Sequence, residues 1–346
     1  GVMLNASDAC GQLGEAADAT NAPAPTRVCV ITCDRPPALE RLLDSMLRTS
    51  RLSSHDEMFL VDDSRRAENR EQNRELVSRF NLTSSKNMHY LGREGQQSLL
   101  RQLASALPGK EQALSSLIDH QRWSGQKTYG LSRTLCLLLS VDYRCIVLDD
   151  DILCASVRPP VEATGISFGG GSNRELACYD SEQALMQAAN FSNTDPLTGH
   201  ARYLGMPLGQ ALPQLSKEAL APAHLRHVNA AMLEKLAGDS PILISQCGSW
   251  GDPGTAGGNW LYHLDAVSLS RILSAPGGLS QAVANRHFWL GRPRPNIAKI
   301  GVMSQATGLD NSQLLPPYFP AFRGEDALFA SMVLYLHPNS AVIDHD

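Results

Sequence analysis

Three short apolar runs constrain this chain most, because each stops at a polar or acidic residue and helical patterns lie between them. "RVCVIT" (Arg27–Thr32), "EMFLVDD" (Glu57–Asp63) and "RCIVLDD" (Arg144–Asp150) are rich in Val, Ile, Leu and Phe and too short for helices, so they read as strands. After the first, "PPALERLLDSMLRT" opens on two prolines and spaces Leu39, Leu42, Leu43, Met46 and Leu47 as a helix does. "RRAENREQNRELVSRF" reads as a solvated helix whose apolar face is Leu76, Val77 and Phe80. "NMHYLG" reads as a further strand, and "KTYGLSRTLCLLLS" as the helix that leads into "RCIVLDD". Strands alternating with helices predict an α/β fold with a mostly parallel central sheet and crossover helices on its faces. Ligands of such sheets bind beyond the carboxyl ends of the strands. Thr32–Asp34, Asp62–Asp63 and Asp149–Asp151 would all converge there.

The 346 residues allow one large domain or two small ones, and 43% hydrophobic residues support a core. Residues 1–25, closing on "NAPAPT", read as a leader or linker with little core, and residues 26–346 as a single domain. Beyond Asp151 the pattern loosens. Ser181–Asn190 and Ser216–Leu236 read as helical, "PILIS" as a strand, "GSWGDPGTAGGN" as a glycine-rich loop, "GEDALFASMVLYLH" as a helix and "SAVIDHD" as a closing strand. A net charge of -5 argues against a nucleic-acid footprint or a polybasic membrane patch. No apolar stretch is long enough to span a membrane. The eight cysteines form no CxxC pair and no zinc spacing, and fit free thiols in a reducing compartment.

Several carboxylates are candidates for chemistry. Alternation along a strand puts Asp149 and Asp151 on one side and Asp150 on the other. The outer two could share a divalent cation, with oxygen ligands favouring Mg²⁺ or Mn²⁺, and the middle one could reach a ribose or the backbone. A solvated acidic turn explains the same residues equally well. Asp62 and Asp63 could accept from a nucleobase or ribose, or Asp63 or Ser64 could cap the helix that follows. Glu325 and Asp326 could supply a general base, or could merely complement a helix dipole. His345 could be a metal ligand or a solvated terminal residue.

Taken in order, "VCVITCDRPPALERLLDSML", "FLVDDS", "GLSRTLCLLLSVDYRCIVLDDD", "GGNWLYHLDA" and "FRGEDALF" resemble the nucleotide-sugar glycosyltransferases of GT-A fold, especially the large family that includes bacterial polysaccharide enzymes and the cellulose and chitin synthases. The resemblance covers residues 27–151 and resumes at Gly257–Ala266 and Arg323–His345; residues 155–245 and 285–320 look like insertions. It implies a GT-A-like, Rossmann-like sheet with a nucleotide-binding half, 26–151, and an acceptor half, 152–346. It implies that Thr32 and Asp63 contact the base, with Asp34, Asp62 and Asp150 also on the donor side. Arg133 would lie near the donor, although Thr134 follows where the family often has Asn. Asp149 and Asp151 would be the DXD metal site for Mn²⁺ or Mg²⁺, completed by His345. Gly257, Gly258 and Asn259 would form a loop near the donor sugar. Asp326, with Glu325 beside it, would be the base of an inverting hexosyl transfer from a nucleotide sugar, a UDP-sugar first among them, to a glycan, lipid-linked or other hydroxyl. Such an enzyme would be cytoplasmic, a peripheral place at the inner membrane face included.

Two other classes compete. A sugar-phosphate nucleotidyltransferase shares a related sheet, but "TCDRPPAL" offers Arg35 and no glycine where a phosphate loop belongs. A non-catalytic module could keep the fold and bind a nucleotide sugar without turnover. A haloacid-type phosphatase fits worse, since Leu153 stands where Thr or Val is expected.

Overall fold

The computed structural model describes residues 5–15, 22–170, 174–225, 228–252, 258–301 and 305–345, the side chains of 258 and 259 excepted. The first half follows the alternation. Strands β1 (Thr26–Thr32), β2 (Met58–Asp62), β3 (Met88–Leu91) and β4 (Arg144–Asp149) pair in parallel in the order 3-2-1-4. The helix that starts on Pro36 and Pro37 buries Leu39, Leu42, Leu43 and Met46 against one face of this sheet. The charged helix Ala67–Thr83 buries Leu76, Val77 and Phe80 there too, and leaves most of its other positions to solvent. Helix Tyr129–Leu138 lies on the opposite face and is buried from Gly130 through Leu137.

The sheet then continues through five strands of the second half: β5 (Ser167–Phe168), β6 (Ile242–Gln246), β7 (Asn296–Ala298), β8 (Ala306–Asp310) and β9 (Ala341–Asp344). The complete order is 3-2-1-4-8-6-9-7-5. β8 is antiparallel to both β4 and β6, and β9 is parallel to β6. β6 and β9 therefore run in the sense of β1 and β4. Their carboxyl ends, at Gln246 and Asp344, share an edge with Thr32 and Asp149, and the amino end of β8 joins them. The result is a mixed α/β fold with a large, mostly parallel central sheet flanked by helices.

Three findings differ from the sequence reading. The stretch 285–320 is not wholly an insertion, because β8 lies in the middle of the sheet. "ATGLD" has weak strand character because Gly308 serves close approach: a Cβ there would lie 2.3 Å from the Ser245 hydroxyl. Residues 216–236 are not one helix. They hold a 3-10 turn at Pro222–Leu225 and a helical turn at Ala230–Leu233. Pro222 cannot donate to a continuing helix, and Asn229 starts the next turn by accepting from the Ala231 N–H. Finally, residues 6–14 form a helix with Ala9 and Leu13 buried in a cluster with Leu208, Leu212 and Leu236. Gly238 admits this helix; its N–H donates to Gln12 O at 2.9 Å, and a Cβ on it would lie 1.7 Å from Glu15 O.

Candidate active site

A cavity of about 1060 Å³ opens at the shared edge of the strands. Of the predicted residues, Thr32, Asp34, Asp63, Arg133, Asp149, Asp151, Glu325, Asp326 and His345 line it. They come together because β1, β4 and β9 all end there, and because helix Glu325–Leu336 begins there after the loop of "LLPPYFP".

The three consecutive aspartates divide their work. Asp149 ends β4 and accepts from Arg133 Nη2 at 2.8 Å. Burial pushes its pKa up to about 7; Asp151, Asp326 and Asp150 push the same way, and Arg133 opposes them. Asp150 is fully buried and accepts from the Thr32 hydroxyl at 2.6 Å. Asp151 is exposed and meets Arg35 Nη1 at 2.5 Å, while Nη2 of the same guanidinium lies 2.6 Å from Asp150 Oδ1. The strand ends at Asp149 and the next two aspartates lie in a turn, so strand alternation does not extend to them, and one guanidinium reaches both Asp150 and Asp151. Asp150 is held by protein and does not line the cavity.

Arg133 is buried between two carboxylates, since its Nε also lies 3.6 Å from Asp326 Oδ1. Burial alone would pull its pKa down; Asp149 and Asp326 beside it raise it instead. Glu325, next in the same helix turn, is buried, and burial followed by repulsion from Asp326 raises its pKa. Asp326 is about a third exposed, at 32%.

The paired acids of β2 also separate. Asp62 is fully buried and accepts from Ser64 N–H at 2.8 Å, Asn73 Nδ2 at 3.0 Å and Tyr90 Oη at 2.8 Å. It is a fixture of the β2 turn, outside the cavity. Asp63 lines the cavity and is held by Arg93 at 3.1 Å, by His120 Nδ1 at 2.8 Å and by the Thr128 hydroxyl. Neither Asp63 nor Ser64 caps the helix that follows. Asp34, from another strand end, ties down the turn before that helix, accepting from the N–H groups of Arg65 and Arg66 at 3.1 Å each and from Asn69 Nδ2 at 3.0 Å. It adopts φ 55°, a left-handed conformation that Asp tolerates.

His345 extends β9, donating its N–H to Gln246 O at 3.0 Å, and its ring lies 5.4 Å from that of His200. His200 also lines the cavity; burial and then His345 push its pKa down to about 3. The Ser245 hydroxyl can donate to His200 O at 3.0 Å. The same hydroxyl lies 3.0 Å from His200 Nδ1, a contact in which either atom can donate. Gly257 and the side chains of Gly258 and Asn259 lie outside the described residues; the backbone of the latter two opens a 3-10 turn, Gly258–His263. Trp260 is core, against Phe288 at 5.2 Å, whereas Trp250 lines the cavity.

A divalent ion fits this site by donor chemistry. Asp149 and Asp151 line the cavity with carboxylate oxygens, Asp149 beside Arg133 and Asp151 beside Arg35. Among the described residues no three His, Cys, Asp or Glu side chains are grouped to hold an ion. The carboxylates available are Asp149 and Asp151, a set suited to Mg²⁺ or Mn²⁺ that takes its remaining ligands from phosphate and water.

Sequence reasoning missed Arg93, His120, Thr128 and His200, and named Arg35 only in weighing a nucleotidyltransferase. Arg35 had a signal, since it follows β1 at the carboxyl edge. His120 had none, because it comes from an irregular stretch, and Thr128, at the start of the helix Tyr129–Leu138, had none because only the fold brings it to Asp63.

No protein-family model matches the chain, and no curated protein matches it. Among solved structures it is similar to glucosyl-3-phosphoglycerate synthase from Mycobacterium tuberculosis in complex with Mn²⁺, uridine diphosphate and glucosyl-3-phosphoglycerate, at 10% identity and a TM-score of 0.37, over 93% of this chain and 69% of that one. It is also similar to mannosyl-3-phosphoglycerate synthase from Rubrobacter xylanophilus, at 10% identity and a TM-score of 0.31, over 93% of this chain and 65% of that one.

Proposed function

We propose that this chain is a divalent-metal-dependent glycosyltransferase that moves a hexosyl group from a nucleotide sugar to an acceptor hydroxyl with inversion. The observation that carries the reading is the opposition of two sets of carboxylates across Arg133. Asp149 and Asp151 stand at the end of β4, and Glu325 and Asp326 open a helix beside them. One set suits the ion and diphosphate of a donor, the other the proton of an acceptor.

Each residue then has a task. Asp63, fixed by three donors, presents a carboxylate to an N–H group of the base. Asp149 and Asp151 hold the ion, which when bound offsets charge on the departing diphosphate. Asp326 is the more exposed acid of its helix turn and accepts the acceptor's hydroxyl proton. The new C–O bond forms as the bond from C1 to the phosphate oxygen breaks, and the diphosphate leaves with that electron pair. A panel of nucleotide sugars, UDP-sugars first, incubated with Mn²⁺ and hydroxyl acceptors tests the reading. Transfer by wild type, and retained donor binding without transfer in Asp326→Asn, are expected. Neither hydrolysis, transfer nor binding with any donor would reject it.

A further inference from the structure

Arg35 holds two neighbouring aspartates in unlike ways. Its guanidinium is 51% exposed, lines the cavity and forks between Asp150 and Asp151 at 2.6 and 2.5 Å. On the Asp150 side the contact is an ion pair to a buried carboxylate, without the hydrogen-bond geometry that Arg35 makes with Asp151. Asp150 is fully buried, the Thr32 hydroxyl fixes it, and a buried carboxylate stripped of its partner is strongly disfavoured. On the Asp151 side the bond is detachable. Asp151 is 42% exposed, and an ion pair between two such exposed groups is worth little in water. The guanidinium therefore rests on the proposed metal ligand Asp151 while its other arm faces the buried Asp150.

We infer that Arg35 is a positioning residue that competes with the divalent ion for Asp151. In the ion-free protein it neutralises Asp151 and keeps that carboxylate aimed into the cavity. When the ion arrives with a nucleoside diphosphate, Arg35 releases Asp151, keeps Asp150, and turns its freed N–H groups to the diphosphate oxygens. Ion binding is thereby weak without nucleotide and strong with it. This rests on the metal site proposed above.

The experiment is a Mn²⁺ titration, by calorimetry and by the electron paramagnetic resonance signal of free Mn²⁺, with and without uridine diphosphate. Wild type is compared with Arg35→Lys, whose ammonium can keep Asp150 but cannot fork to Asp151, and with the double variant Arg35→Ala/Asp150→Asn, which removes the buried charge together with its partner. Thermal melts establish that each is folded, and Arg35→Lys carries the test if the double variant is not. Without nucleotide, both variants should bind Mn²⁺ about fivefold more tightly, the upper range for an exposed pair. With nucleotide, wild type should gain more ion affinity than either variant. Unchanged or weakened ion affinity in Arg35→Lys overturns the competition and leaves the metal site standing. Absence of Mn²⁺ binding in every protein, with and without nucleotide, overturns both.

Discussion

Arg133 joins the two carboxylates assigned to opposite ends of the reaction, with Nη2 2.8 Å from Asp149 Oδ1 and Nε 3.6 Å from Asp326 Oδ1. The arginine is buried, so it is costly to remove. Arg133→Met should lower stability by about 3–5 kcal/mol, because it leaves two acids facing each other with no cation between them. Arg133→Met/Asp149→Asn should recover part of that loss. Urea unfolding of the three proteins at pH 7 measures it, and equal stability of the single and double variants would contradict the pairing.

The raised pKa of Asp149 predicts a pH dependence of known sign. Folding holds its proton up to about pH 7, whereas an aspartate outside the fold loses it near 3.8. Between those values the folded state binds more protons than the unfolded one, so this residue makes stability fall as pH rises from about 4 to 7. Asp149→Asn should flatten that part of the profile. Melting temperatures of both proteins across pH 4.5 to 8 check it; parallel curves would sink the assignment.

The two aspartates of β2 should respond differently. Asp62→Ala strands donors from Ser64, Asn73 and Tyr90, and should cost about 3 kcal/mol while leaving nucleotide affinity intact in the folded fraction. Asp63→Ala should weaken nucleotide binding at least tenfold if its carboxylate meets the base. Calorimetry with uridine diphosphate separates them, and the reverse ranking would exchange their roles.

Gly238 admits the first helix, so Gly238→Ala should undock it. With Glu15 O only 1.7 Å from the added Cβ, backbone must move, at a cost of about 1–3 kcal/mol. Limited proteolysis should then cut within residues 5–15 faster than in wild type. An unchanged cleavage rate would show that the contact contributes little.

The first half of the sheet was legible because its strands announce themselves: apolar β-branched runs, helical spacing between them, and acids at one end. That pattern also located the edge where Asp63, Asp149 and Asp151 meet. It could not tell Asp62 from Asp63, because what separates them is contact with residues far along the chain, such as Tyr90 and Thr128. β8 was hidden since Gly308 answers to Ser245 across the sheet and not to its own neighbours. The first helix was hidden since its partners, Leu208, Leu212 and Leu236, lie some two hundred residues away. A helix this short is not stable on its own.

The central claim is that Asp149 and Asp151 hold a divalent ion for a nucleotide-linked donor. Calorimetric binding of uridine diphosphate, with Mn²⁺ and with chelator, in wild type and Asp151→Ala, tests it most directly. The account predicts binding by wild type that the chelator weakens at least tenfold, and binding by Asp151→Ala that is weak in both conditions. Equal affinity in all four measurements would contradict it.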